Sequence, residues 1–161
     1  TNLVLPKMRI EDVGRVIYIS SVLGFVAMPF RGPYVASKFA IEGLVNTLRL
    51  ELSDTNIKFS LIQPGPIESK FRANAYLAFK ENVDSTNSNY QAQYDLMIKR
   101  LESDKNAQFT LPPEAILTCA IHALKSSSPK IHYRVTFPTK LFAFLNRIFP
   151  SSWVDIILNK P

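Results

Sequence analysis

At 161 residues the chain is of single-domain size, and 47% hydrophobic content is ample for one packed core. Its one cysteine permits no internal disulfide, and no apolar run is long enough to span a bilayer. The net charge of +6 comes from 19 basic residues that are dispersed rather than gathered in a run, which favours a solvated basic surface over a nucleic-acid interface. With no signal peptide at the N-terminus, these features predict a soluble, cytoplasmic protein.

Leu3, Val4, Leu5, Met8 and Ile10 have the spacing of a helix already under way, and residues 11–14 turn into the first strand. Val16, Ile17, Tyr18 and Ile19 form a continuous apolar run, suited to a parallel strand covered on both faces. Ser20 and Ser21 stand at its carboxyl end, where open α/β sheets bind ligands. Gly32 and Pro33 open a long helix reaching about Ser53, with the proline in the first turn, where its missing N–H costs nothing. Ala36, Ala40, Gly43 and Thr47 form a small-residue stripe along it; close approach of a second helix is preferred over packing on the helix's own sheet. Ile57 to Ile62 makes the next strand, and Pro64 and Gly65 break it.

Phe71 to Lys80 has helical spacing, Asn82 to Gln93 is polar, and Tyr94 to Leu101 resumes a helical pattern. The helix over 113–125 buries Ala115, Ile116, Cys119, Ala120, Ile121 and Leu124, so Cys119 reads as a small hydrophobe. Ile131 to Val135 is the last strand. In the tail, Leu141, Phe144, Leu145 and Ile148 repeat at helical spacing, Pro150 ends that helix, and Ser151 or Ser152 caps a second with Trp153, Ile156 and Ile157 on one face. These helices, 138–161, either fold over the core or substrate cleft, the preferred reading, or lie on a membrane surface. His122 and His132 have no second ligand at metal spacing, so no metal is expected. Three parallel strands joined by helices form part of an α/β, Rossmann-like, doubly wound sheet, with one edge of the first strand unpaired.

Tyr34 and Lys38 lie four apart and share a helix face. Moving a phenol from about pH 10 to about 7 takes roughly 4 kcal/mol, and a cation about 4 Å away at an effective dielectric near 20 supplies about that much. Such a phenol exchanges a proton with a substrate oxygen while the Ser21 hydroxyl hydrogen-bonds the same oxygen. Tyr76 and Lys80 have the same spacing but no hydroxyl at the position matching Ser21, where Gln63 stands, and read as accidental.

Ser21, Tyr34 and Lys38, set in ISS and GPYVASKFAIEG and followed by the PGPIES of Pro64 to Ser69, resemble the catalytic half of the short-chain dehydrogenase/reductase family. The resemblance covers nearly the whole chain, most specifically residues 14–72. It implies tyrosine as proton donor or acceptor, lysine lowering the tyrosine pKa and gripping the nicotinamide ribose, and serine orienting the carbonyl. It implies NAD or NADP, with a lean to NADP, contacted by Tyr34, Lys38, Pro64, Gly65, the backbone at Ile67, and Ser69, where the family often has threonine. A variable substrate lid over 63–110 and a homodimer or homotetramer built through the Tyr34 helix are also implied. Phe71, Tyr76, Leu77 and Phe79 suggest an apolar substrate, and the tail resembles that of the subgroup around 17β-hydroxysteroid and retinol dehydrogenases.

The five glycines are too far apart for a phosphate-cradling GxGxxG turn. The expectation is the C-terminal portion, 1–161, of one such domain, inactive alone and, in the complete protein, a carbonyl reductase or alcohol dehydrogenase acting on a hydrophobic aldehyde, ketone or alcohol. The alternatives are an epimerase or dehydratase of related fold, and a non-catalytic truncated module binding a partner or apolar ligand.

Overall fold

The computed structural model describes residues 1–103 and 107–158. Small parts of the expected lid (104–106) and tail (159–161) lie outside the described residues. The first helix, α1 (Leu5–Glu11), has Pro6 in its opening turn and ends where Asp12 enters the left-handed region at φ 46°, a conformation that aspartate tolerates better than most residues. The Asp12 carboxylate then accepts the backbone N–H and side-chain amide of Asn56 at 2.9 and 2.7 Å, tying together the starts of two strands.

Those strands are β1 (Gly14–Ile19) and β2 (Ile57–Gln63), parallel and in register from Gly14 opposite Ile57 to Ile19 opposite Ile62. The short β3 (His132–Arg134) pairs in parallel with Leu61–Gln63, giving the order β1-β2-β3. Among the described residues β1 has no partner on its other edge. Between β1 and β2 run a single 3-10 turn, Val22–Gly24, and the long helix α2 (Gly32–Glu51). Helices α3 (Phe71–Asn82), α4 (Gln91–Glu102) and α5 (Glu114–Lys125) lead to β3, and α6 (Phe137–Ile148) and α7 (Ser151–Leu158) follow it.

Strand alternation distributes the core over both faces of the sheet. Ile57, Phe59 and Leu61 point to one side, against Val45 within α2, Leu52 just after it, and Leu5 and Met8 of α1. Ile62 points to the other, against Ala123, Ile116, Cys119 and Ala120 of α5 and Tyr133 of β3. Complete burial of Leu61, Ile62 and Val45 contributes about 1.5–3 kcal/mol for each side chain.

Two expectations need adjusting. On α5, Ile121 and Leu124 are 44% and 55% exposed while Ala123 is fully buried. The helix presents the line 116, 119/120, 123 to the sheet, and the small alanine allows its close approach. In the tail, Thr139 and Val154 are buried and the Asn146 amide donates to the Phe25 carbonyl at 2.7 Å, but Phe144, Ile148, Trp153 and Ile156 are exposed. The tail is thus anchored to the loops after β1 and β2 through few residues, with much of its apolar face outward. Among the described residues, no helix is long and apolar enough to cross a membrane.

Candidate active site

The carboxyl ends of β1 and β2 are laced together. The Ser20 N–H donates to the Ile62 carbonyl at 2.8 Å, and the Val22 N–H donates to the Pro64 carbonyl at 2.7 Å. Between them sits Ser21, buried, its Oγ accepting the Leu23 N–H at 3.1 Å and so capping the 3-10 turn. That bond uses an oxygen lone pair and leaves the hydroxyl proton available for donation.

Gly32 and Pro33 start α2 so that Tyr34, Lys38 and Glu42 follow one another at successive turns of one face. Lys38 Nζ donates to the Ile19 carbonyl at 2.9 Å and stands 5.6 Å from the centre of the Tyr34 ring. Its ammonium is therefore held at the end of β1, two residues before Ser21. The Tyr34 ring is half-buried and packs on Phe71, the first residue of α3, with centroids 5.5 Å apart.

The turn after β2 closes the other side. Gly65 lies against Thr136 and Thr139, both fully buried and hydrogen-bonded to each other at 2.9 Å; a Cβ on residue 65 would fall on the Thr136 hydroxyl and 2.8 Å from that of Thr139. Glycine is required here by this close approach. Leu111 pairs with the turn as a short parallel bridge, accepting the Glu68 N–H at 2.9 Å and donating to the Pro66 carbonyl at 3.1 Å. Between those two bonds, the Ile67 N–H makes no hydrogen bond among the described residues. The Ser69 hydroxyl donates to the Ile67 carbonyl at 3.4 Å and accepts the Phe71 N–H at 3.3 Å, setting the start of α3.

Beneath the site is a polar cluster that sequence reasoning missed. Both carboxylate oxygens of Glu42 lie 3.0 Å from the Gln63 Nε2, which donates to them, and His132 Nε2 is 3.8 Å from the same carboxylate. Burial pushes the His132 imidazole below the usual histidine range, against the upward pull of Glu42, so at neutral pH the contact is between a carboxylate and a neutral ring. The signals were an acid on the Tyr34–Lys38 face of α2 and a glutamine closing an apolar strand. Tyr76 and Lys80, by contrast, sit on α3 as a cation over a ring at 4.5 Å, with the Tyr76 hydroxyl bonded to Glu102 of α4.

Residues 1–78 match the family model described as short chain dehydrogenase. An Escherichia coli K12 protein named uncharacterized oxidoreductase YbbO is 37% identical over 158 residues, covering 98% of this chain and 53% of that protein. The NADPH-dependent 3-dehydrocapnine reductase of Ornithobacterium rhinotracheale is 31% identical, covering 91% of this chain and 50% of that protein. The chain belongs to the short-chain dehydrogenase/reductase family. Retinol dehydrogenase 16 of Mus musculus is 30% identical, over 96% of this chain and 50% of that enzyme. The chain thus spans about half the length of the family members it matches. The family fold is also seen in solved structures. A short-chain dehydrogenase/reductase of Burkholderia phymatum, in complex with NAD, superposes with a TM-score of 0.65 at 20% identity, covering 99% of this chain and 56% of that one. A Burkholderia cenocepacia short chain dehydrogenase, in complex with NADP, gives 0.64 at 16% identity, covering 97% and 51%.

Proposed function

We propose that this chain carries the catalytic part of a nicotinamide-dependent oxidoreductase that interconverts a hydrophobic alcohol with its aldehyde or ketone, with Ser21, Tyr34 and Lys38 as the catalytic residues. The observation carrying this reading is the Lys38 ammonium held 2.9 Å from the Ile19 carbonyl and 5.6 Å from the Tyr34 ring, at the strand end that Ser21 closes. NADP is the preferred cofactor. The Ornithobacterium relative is named as NADPH-dependent and the Burkholderia cenocepacia neighbour is in complex with NADP.

The residues present fit the nicotinamide end of such a cofactor. The unpartnered Ile67 N–H suits a carboxamide oxygen, Lys38 suits a ribose hydroxyl, and the Pro64–Gly65 turn with Ser69 shapes the wall beside them. No glycine-rich turn for a pyrophosphate occurs among these 161 residues, so turnover is assigned to the full-length polypeptide and not to this chain alone. When bound, nicotinamide supplies or accepts the hydride at the substrate carbon. Ser21 donates its free hydroxyl proton in a hydrogen bond to the substrate oxygen, orienting it. Tyr34 gives that oxygen a proton in reduction and takes one from it in oxidation. Lys38 offsets the negative charge on the phenol oxygen while its proton is away. Helix α3, which meets Tyr34 through Phe71, serves together with α4 as the substrate lid. Ala36, Ala40, Gly43 and Thr47 are exposed along α2, which supports a homodimer through that helix.

Tyr34→Phe in the full-length polypeptide is expected to lower turnover at least about a hundredfold while cofactor titration is unchanged. Turnover retained in that variant overturns the assignment.

A further inference from the structure

The outward face of the tail is apolar over two helices. On α6, Phe137, Leu141, Phe144 and Ile148 recur every three or four residues and so form one line along the helix. Phe137, Phe144 and Ile148 are each more than half exposed. On α7, Trp153 and Ile156 are more exposed still, and Ile157 beside them is 49% exposed. Phe149, between the two helices, stacks on Trp153 with centroids 5.7 Å apart and planes 18° from parallel, which joins the two lines into one strip. A bare strip of this kind marks an interaction surface.

Cations run along one side of that strip. Lys140 and Arg147, two turns apart, lie on the same flank of the α6 line. Lys140 also lines an open cavity of about 380 Å³ between α5, β3 and α6, whose wall includes Thr118, Cys119, Lys130, His132 and Arg134. The ion pairs among the described residues are Lys7–Glu11 and His132–Glu42, so Lys130, Arg134 and Lys140 line one opening without an acidic partner. The tail's one acid, Asp155, lines a different hollow, with Val26 and Asn146. Like charges around one opening repel, and an oxyanion entering from outside relieves that repulsion and accepts their N–H groups.

We propose that the tail docks on an anionic lipid surface, with the apolar strip of α6 and α7 seated among acyl chains and Lys130, Arg134 and Lys140 receiving headgroup phosphates at the cavity. The strip supplies buried area and the cations supply selectivity, the combination that holds interfacial helices on membranes. A second copy of this chain is the poorer fit, because a two-fold contact sets the same patch on itself and brings the cation row against its own copy. Docking uses the outer face of the tail and does not depend on the oxidoreductase reading.

The test is flotation of the full-length polypeptide with vesicles of phosphatidylcholine and with vesicles of equal parts phosphatidylcholine and phosphatidylglycerol. Partitioning onto the anionic vesicles is expected to exceed that onto the neutral ones at least about tenfold and to fall as ionic strength rises. Phe144→Ser combined with Trp153→Ser should lower partitioning onto the anionic vesicles about tenfold or more. Arg134→Gln and Lys140→Gln should each lower it about fivefold and leave the neutral vesicles unaffected. All four side chains are exposed, so the variants should melt as the unsubstituted protein does; Ile156→Ser and Lys130→Gln take the place of any that does not. Partitioning onto neither vesicle, or equal partitioning onto both that the substitutions leave unchanged, overturns the proposal. Self-association that Phe144→Ser abolishes also overturns it, and assigns the strip to a second copy.

Discussion

The Glu42–Gln63 pair makes a quantitative prediction about how α2 is fixed to the sheet. Glu42 is 9% and Gln63 3% exposed, and the Gln63 amide donates to both carboxylate oxygens at 3.0 Å. In Gln63→Leu a buried carboxylate loses its amide donor, at a cost of about 1.5–3 kcal/mol. In Glu42→Leu the amide is stranded in a site where the Gln63 Oε1 already has no protein partner, at a cost of about 1–3 kcal/mol. Replacing both by leucine leaves nothing polar unpaired between the two positions, and the double variant should lose only about 1 kcal/mol. The double-mutant cycle should therefore give a coupling of about 1.5–5 kcal/mol, measured by urea unfolding of the full-length polypeptide. Tyr34 and Lys38 ride on the same helix, so each single variant should also lower kcat/KM. Single effects that add to within about 0.5 kcal/mol would refute the reasoning, because they would show that the two side chains do not act on each other.

Two further outcomes follow from the packing. Gly65→Val drives a branched side chain into the Thr136–Thr139 hydroxyl pair, and a destabilisation of about 1–3 kcal/mol is expected in thermal melts; a melt identical to the unsubstituted protein would mean the approach is not tight. His132, its folded-state pKa depressed chiefly by burial, takes up fewer protons in the folded than in the unfolded state as pH falls through the histidine range. The stability it contributes is complete above the unfolded value of about 6.5 and is lost as pH drops from there through its lower folded value. His132→Gln should flatten that part of the stability-against-pH curve, and an unchanged slope would contradict it.

Much of the site was legible because its spacing is covalent. Val16 to Ile19 reads as a covered strand, Gly32-Pro33 as a helix start, and the four-residue step from Tyr34 to Lys38 as one face, whatever surrounds them. The turn at Pro64–Gly65 was likewise visible, although the reason for its glycine was not: Thr136 and Thr139 arrive from beyond β3.

The sequence by itself determined the order and type of the elements, with Ser21 at a strand end and Tyr34 and Lys38 on one helix face, because hydrophobic period, proline and glycine act over a turn or two of chain. Only the tertiary structure decided which line of α5 meets the sheet, with Ala123 inward and Leu124 outward, since a helix's rotation is set by the surface it packs against. Packing alone also brought Gln63 and His132 to Glu42. Those meetings depend on strand register and on how α2 lies over the sheet, neither of which leaves a periodic mark along the chain.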